Sequence, residues 1–394
     1  MTLPASQPNY FDYTEVGAPS LNNVAGSLLE IVRACVKNGF NPKAVTSIDV
    51  AAGVATATAA AHGYTATFGK LLLIEGSGEA LLNGRKQPLS VTTNTFTFAA
   101  PGVADGTYTG TITAKRAPLG WTEPYSGTNK AIFARSAPEA TAMLLRIDDS
   151  GSAPASATDA RVLMLESATD IDTYADFSPT AAQGSGGGYW YKGANNATAK
   201  KWAIVGNDRY LWLISPCLAN VAPYDMQLLR FGDAVPYRTP DPYLCLLAAA
   251  TAAGGGGNSS AGGIFPSFTT PSSYQGGVVA RNFSGSAKSL NIHTCGASSG
   301  AVLGAEGTGQ FGSDVVAISR TYHLADTELI SAGGHLRGEV PGLAGPLARI
   351  PFDSLGQFAL VTPDIGDGRT YLSVLYSGVS ARGNALINLS GPWF

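Results

Sequence analysis

Apolar and polar positions along the chain alternate in short runs, and a helical period stands out in one place only. The densest strand pattern lies between Asn129 and Ser215. Lys130–Arg135, Ala142–Asp148, Arg161–Glu166, Gly188–Lys192, Lys201–Val205 and Arg209–Ile214 are each five to seven residues long. They are rich in β-branched and aromatic types and bounded by Gly, Pro, Asn, Asp or Ser, the signature of strands. Gly206-Asn207-Asp208 joins the last two with residues that tolerate positive φ, which predicts a hairpin. The pattern predicts an antiparallel meander. The helical period falls at Leu28, Ile31, Val32, Cys35 and Val36, on one face. Ser27-Leu28-Leu29-Glu30 has the form of a capping box, with Ser27 as N-cap, Lys37 in the last turn and Gly39 as the stop. One short helix packed on a sheet is the expectation.

Around this centre the pattern divides the chain. Residues 1–19 hold three prolines and no periodicity, which reads as an extended arm lying on a neighbour or on the domain surface. Residues 20–44 and 116–235 form the main β-domain with its packing helix. Residues 45–115 carry their own strand set: Val45–Val50, Val54–Thr58, Lys70–Ile74, Leu89–Val91, Thr95–Phe98 and Gly110–Ala114. Turns at Ala61-His62-Gly63-Tyr64 and Leu82-Asn83-Gly84-Arg85 separate them, so this stretch reads as a small β-barrel inserted into a loop, where insertion costs little. Residues 236–394 read as a C-terminal β-domain. The fold class expected is mainly β: a multi-domain antiparallel β-sandwich or meander with one short N-terminal helix and the inserted barrel.

Composition sharpens this. Glycine is abundant, at 48 of 394 residues, which suits many turns, and 45% apolar content sets the chain apart from disordered ones. Charged residues make up only 13%, about half the usual share. A surface so poor in charge suits a protein packed against copies of itself; an ordinary secreted β-protein with an uncharged surface is the other reading. The net charge of −3 gives no reason to bind nucleic acid, and the densest basic points, Arg85-Lys86 and Lys200-Lys201, build no phosphate-tracking groove. No apolar run approaches the roughly 18 residues of a membrane span, and Met1-Thr2-Leu3-Pro4 lacks the pattern of a signal peptide, so no membrane insertion is expected. Cys35, Cys217, Cys245 and Cys295 stand far apart and read as four buried free thiols.

No constellation of residues specifies chemistry. His62, His293, His323 and His335 have no metal-ligand spacing, and His293-Thr294-Cys295 supplies two ligands where a site needs more. Asp148-Asp149 reads as a strand end and turn, and Asp170-Ile171-Asp172 lacks the further oxygens of a calcium loop. Gly307–Gly312 matches a dinucleotide fingerprint in form but not in strand–turn–helix context. Catalytic, cofactor-binding and metal-ligating residues are therefore assigned to none, and no cofactor is expected. Tyr189, Trp190, Tyr191, Trp202, Tyr210 and Trp212 read as core packing, as a subunit contact, or as a platform for stacking a glycan.

Gly120-Trp121-Thr122-Glu123-Pro124-Tyr125-Ser126-Gly127-Thr128-Asn129-Lys130-Ala131, with Leu145–Ser150, Gly188–Lys192, Asn38-Gly39-Phe40 and the closing Gly391-Pro392-Trp393, resembles virion structural proteins of tailed bacteriophages. The resemblance covers most of residues 17–235 and the C-terminus. The inserted stretch, through Ala61-His62-Gly63 and Thr95-Phe96-Thr97-Phe98, is similar to small β-barrel modules that recur in phage proteins, and to the first catalytic-cysteine half-domain of ubiquitin-activating enzymes. The resemblance implies a non-enzymatic structural component of the virion, assembled in the bacterial host cytoplasm. Its expected place is the tail tip or baseplate; a capsid decoration protein and a carbohydrate-binding receptor-recognition protein are the alternatives. The expected partners are other virion proteins, three-fold or six-fold copies of itself, and a host surface glycan.

Overall fold

The computed structural model describes residues 2–151, 158–183, 187–193, 196–216, 226–249, 277–296, 318–319, 322–326, 336–346, 355–362, 368–377 and 382–394. The protein is mainly β, with 47% of residues in strands and 5% in helix. All of its strand pairings are antiparallel among the described residues, and they form several sheets stacked in layers.

The expected meander is divided between two layers. Lys130–Ala134, Leu144–Asp148, Asp159–Ala168 and Tyr174–Ser178 follow one another in a six-stranded sheet, with Thr122–Gly127 at its edge and Gly188–Tyr191 paired to Asp159–Ala168. Ala203–Gly206, Tyr210–Pro216 and Met226–Asp233 belong instead to a ten-stranded sheet. The hairpin over Gly206-Asn207-Asp208 is present, closed by the Asn207 amide donating to the Tyr210 carbonyl at 2.9 Å.

The physical reason for the split is visible in Tyr210–Pro216, which is buried at every position. A strand covered on both faces reads as a continuous apolar run and not as an alternation. On one face of the ten-stranded sheet, Ile204, Leu211, Leu213, Leu229 and Phe231 meet Phe133, Leu145, Ile147, Val162 and Met164 of the six-stranded sheet. On the other face, Val205, Trp212, Ile214 and Leu228 meet Leu372, Val374, Ala385 and Ile387 of a five-stranded C-terminal sheet. The ten-stranded sheet is thus the middle of three layers.

Strand pairing runs across two of the expected boundaries. Phe231 pairs with Leu247, and Leu246 with Val279, so strands on both sides of residue 236 hydrogen-bond in one sheet. The N-terminal stretch, expected to lie on a neighbour or on the domain surface, is tied into the central sheet. Asn9–Asp12 is the edge strand of the central sheet, paired with Ala203–Gly206, and Tyr10 and Phe11 enter the cores on opposite faces. Alternation over four residues between prolines is too short to register as a strand in sequence. At the other end of the chain, Trp393 is buried and its indole N–H donates to the Asn388 carbonyl at 2.8 Å.

The helix runs over Ser27–Arg33 and continues as a π-turn over Ala34–Asn38. Leu28, Leu29, Ile31 and Val32 pack in the core between the six- and ten-stranded sheets. The capping box does not form: Gly26 holds the N-cap position at φ 86°, and the Ser27 hydroxyl donates to the Asn22 carbonyl. The cap comes from far away in sequence. Asp149 Oδ2 accepts the amides of Leu28 at 2.9 Å and Leu29 at 3.3 Å.

The inserted stretch has a core of its own. Val45, Ile48, Val50, Leu72, Ile74, Phe96, Phe98 and Ile112 cluster between a four-stranded and a five-stranded sheet. The expected strand Val45–Val50 is really two. Phe40–Val45 pairs with Ile112–Arg116 in one sheet, and Ser47–Ala51 pairs with Val54–Thr58 in the other. The chain turns the corner at Thr46.

Candidate functional site

The aromatic residues singled out in sequence supply no surface platform. Tyr189, Trp190, Tyr191, Trp202, Tyr210 and Trp212 are all buried. A buried indole normally finds a partner for its N–H. Here Trp190 donates to the Ala248 carbonyl at 2.8 Å, Trp202 to that of Pro19 at 3.0 Å and Trp212 to that of Pro341 at 3.1 Å. Trp121 donates likewise to Asn207 at 2.8 Å. Each of these four tryptophans pins a segment distant in sequence, so these rings are structural ties. Within the folded chain none of them presents an open face.

Of the basic points, Arg85, Lys86 and Lys200 are buried and Lys201 is exposed. Arg85 donates to the carbonyls of Pro118 at 2.6 Å and Ala5 at 3.2 Å, and Lys86 to that of Leu81 at 2.6 Å. His62 is buried, accepts the Tyr64 amide on Nδ1 at 2.9 Å and places Nε2 3.0 Å from the Thr95 carbonyl, so the bonding selects the Nε2–H tautomer. Cys35 and Cys245 are buried free thiols; burial pushes the Cys35 thiol well above its ordinary range and that of Cys245 up to about 12. Asp172 meets Arg146 at 2.6 Å and Lys130 at 3.0 Å, so cations occupy its carboxylate. Among the described residues no group of three or more His, Cys, Asp or Glu is placed to hold a metal ion, and no helix is long and apolar enough to cross a membrane. Cys217, His335 and Gly307–Gly312 lie outside the described residues.

What the structure does bring together is a set of charges at the joint of the edge strand, the inserted unit and the central sheet. Lys70, just before the strand Leu72–Glu75, places Nζ 2.7 Å from Asp12 Oδ2 and 3.6 Å from Glu15 Oε1. All three side chains are 7% exposed. The Lys70 ammonium also lies 5.0 Å from the centre of the Tyr10 ring. Asp12 Oδ1 accepts from the Thr14 amide at 2.8 Å and from the Thr14 hydroxyl. Glu15 is further held by Arg116, which also donates to the carbonyls of Tyr10 at 2.6 Å and Leu71. Burial alone would raise the Asp12 carboxyl; the Lys70 charge and the hydrogen bonds from Lys70, Thr14 and Tyr10 outweigh it and hold Asp12 below the usual carboxylate range. Burial and the Asp12 carboxylate push the Tyr10 phenol well up. Sequence reasoning missed this joint because its members lie up to 101 residues apart.

By sequence, no protein family and no curated protein matches the chain.

Proposed function

We propose that the protein is a structural subunit of a tailed-bacteriophage particle, acting by protein–protein assembly and not by catalysis, with the tail tip or baseplate as its place. The observation that carries the assembly part is where the few charges go. In a chain with 13% charged residues, the pairs Asp12–Lys70, Asp149–Lys192, Asp233–Arg135 and Asp241–Arg337 all have shielded side chains. Spending scarce charge inside leaves a surface with little electrostatic protection against association. Val54, Phe68, Leu81 and Leu89 of the inserted unit are exposed as well. Charge depletion and exposed apolar side chains suit the core of a subunit contact. The phage assignment itself rests on the sequence resemblance. The glycan-binding alternative loses the aromatic residues that suggested it.

Closed symmetry would bury the same patch on every copy, and the assembly proposed is a three-fold or six-fold homo-oligomer that contacts other virion proteins. Light scattering of the purified chain, with imaging of particles that carry a labelled copy, tests this. A monodisperse monomer at high concentration that is absent from the particle would overturn it.

A further inference from the structure

Lys70, Asp12 and Glu15 have an arrangement that a simple ion pair does not require. A buried lysine lies against one carboxylate while a second carboxylate stands 3.6 Å away. Among the described residues, the other shielded lysine–aspartate pair, Lys192 with Asp149 at 2.6 Å, has no second carboxylate within ion-pair distance of its ammonium. Lys130 meets two, Asp148 and Asp172, but Asp172 is 59% exposed and open to water.

We propose that Lys70 and Asp12 become joined by an intramolecular isopeptide bond after the chain has folded, with Glu15 carrying the proton. Glu15 passes a proton from the Lys70 ammonium to Asp12 Oδ2, and the freed Nζ attacks Cγ of the neutral carboxyl. The bond from Cγ to Oδ2 then breaks. Oδ2 leaves as water, carrying the second proton lost by Nζ together with the one Glu15 passed to it. One ammonium and one carboxylate become one secondary amide and one water, with no oxidant or other reactant.

Each part of the geometry serves a step. Oδ2 faces Lys70 and is the oxygen that leaves. Oδ1 stays as the amide oxygen, and the charge that develops on it in the tetrahedral intermediate meets the amide and hydroxyl of Thr14. Arg116 donates to the other oxygen of Glu15, which fixes the carboxylate with Oε1 toward Lys70. The backbones are tied on both sides, since the Tyr10 amide donates to the Gly69 carbonyl at 2.8 Å and the Leu71 amide to Asn9 Oδ1 at 3.2 Å. Such fixing converts an encounter that is negligible in water into a high effective concentration, and the dry site disfavours hydrolysis of the product. The bond would close a loop across 58 positions of sequence and staple the edge strand to the inserted unit.

The test is the intact mass of the purified full chain, measured under denaturing conditions, with proteolytic mapping. The expected mass is one water below that of the sequence, with a branched peptide joining the segments around residues 12 and 70. Lys70→Arg keeps the charge and should return the full mass and linear peptides; Glu15→Gln should leave a large unreacted fraction. Circular dichroism establishes that each variant is folded. Full mass in folded wild-type protein, or loss of water mapping to any other residue pair, would overturn the proposal.

Discussion

Asp149 carries two duties with one carboxylate, so its removal should be unusually costly. Oδ2 caps the helix through Leu28 and Leu29, and Oδ1 holds Lys192 Nζ at 2.6 Å, with both side chains fully shielded. Losing a helix cap costs about 1 kcal/mol. Leaving a buried ammonium without its counter-charge costs about 3–5 kcal/mol. Asp149→Ala should therefore destabilise by about 4–6 kcal/mol, a large part of the roughly 5–15 kcal/mol available to a folded protein. Lys192→Met alone should cost less, because Asp149 keeps its two helix amides. In the double variant neither charge is stranded and chiefly the cap is lost, so the two substitutions should couple by at least about 3 kcal/mol. Urea denaturation followed by tryptophan fluorescence, at equal m-values, gives the cycle. A coupling below about 0.5 kcal/mol would refute the reasoning, since independent sites add to within that margin.

Three further outcomes follow from particular contacts. Glu123 is only 3% exposed; burial opposes its charge, but hydrogen bonds from Arg33 and Lys37 outweigh this and hold its pKa down. Its contribution is present above the ordinary carboxylate value of about 4.3 and lost as pH falls through the lower folded value, so Glu123→Gln should flatten the acid limb of a stability–pH curve. Trp202→Phe removes the donor to the Pro19 carbonyl and should cost about 1–3 kcal/mol, with faster limited proteolysis near residue 20 as the readout. Removing residues 1–12 should lower the melting temperature of the isolated subunit, because Tyr10 and Phe11 are each worth about 1.5–3 kcal/mol of burial; an unchanged melting temperature would mean the edge strand contributes nothing.

The residues differ in how openly they announced their places. Thr95–Phe98 alternates cleanly in sequence, and Phe96 and Phe98 both enter the inserted unit's core, because a one-sided strand writes its face into every second position. Tyr210–Ile214 carried the equally physical signal of a two-sided strand, yet the pattern cannot tell what covers the second face. Alternation placed Trp190 opposite Tyr189 and Tyr191, but all three are buried, so knowing the face did not reveal its exposure. Thr122–Gly127, with Pro124 in it, and Tyr174–Ser178 went unread because edge strands tolerate exposed polar residues and proline. Ser27 looked like a cap because local chemistry favours it; the fold instead delivers Asp149 to the same amides from 121 residues away. The charged joint was unreadable for that same reason, since its meaning lies in proximity across the chain.

The joint also changes what it means for the inserted unit to be separable. Its core is drawn wholly from residues 45–114, so nothing outside is needed to cover Ile48, Leu72, Phe96 or Ile112. Its natural ends are the paired strands Phe40–Val45 and Ile112–Arg116, outside the expected limits of 45 and 115. The rest of the protein lacks the same independence. Phe40 packs 6.0 Å from Phe11, the Arg116 guanidinium lies 4.9 Å over the Phe11 ring, and Asn9 bonds to the Leu71 amide and the Ala117 carbonyl. Excision of the unit uncovers Phe11 and takes away the partners of Asp12 and Glu15, so the edge strand loses its support. Residues 40–116 alone should fold and melt cooperatively. The remainder, with Gly39 joined to Ala117, should be less stable than the whole chain, with loss beginning at the N-terminal strand in hydrogen exchange. An unfolded 40–116 fragment, or a remainder whose Asn9–Asp12 amides stay fully protected, would show that the dependence does not run in this direction.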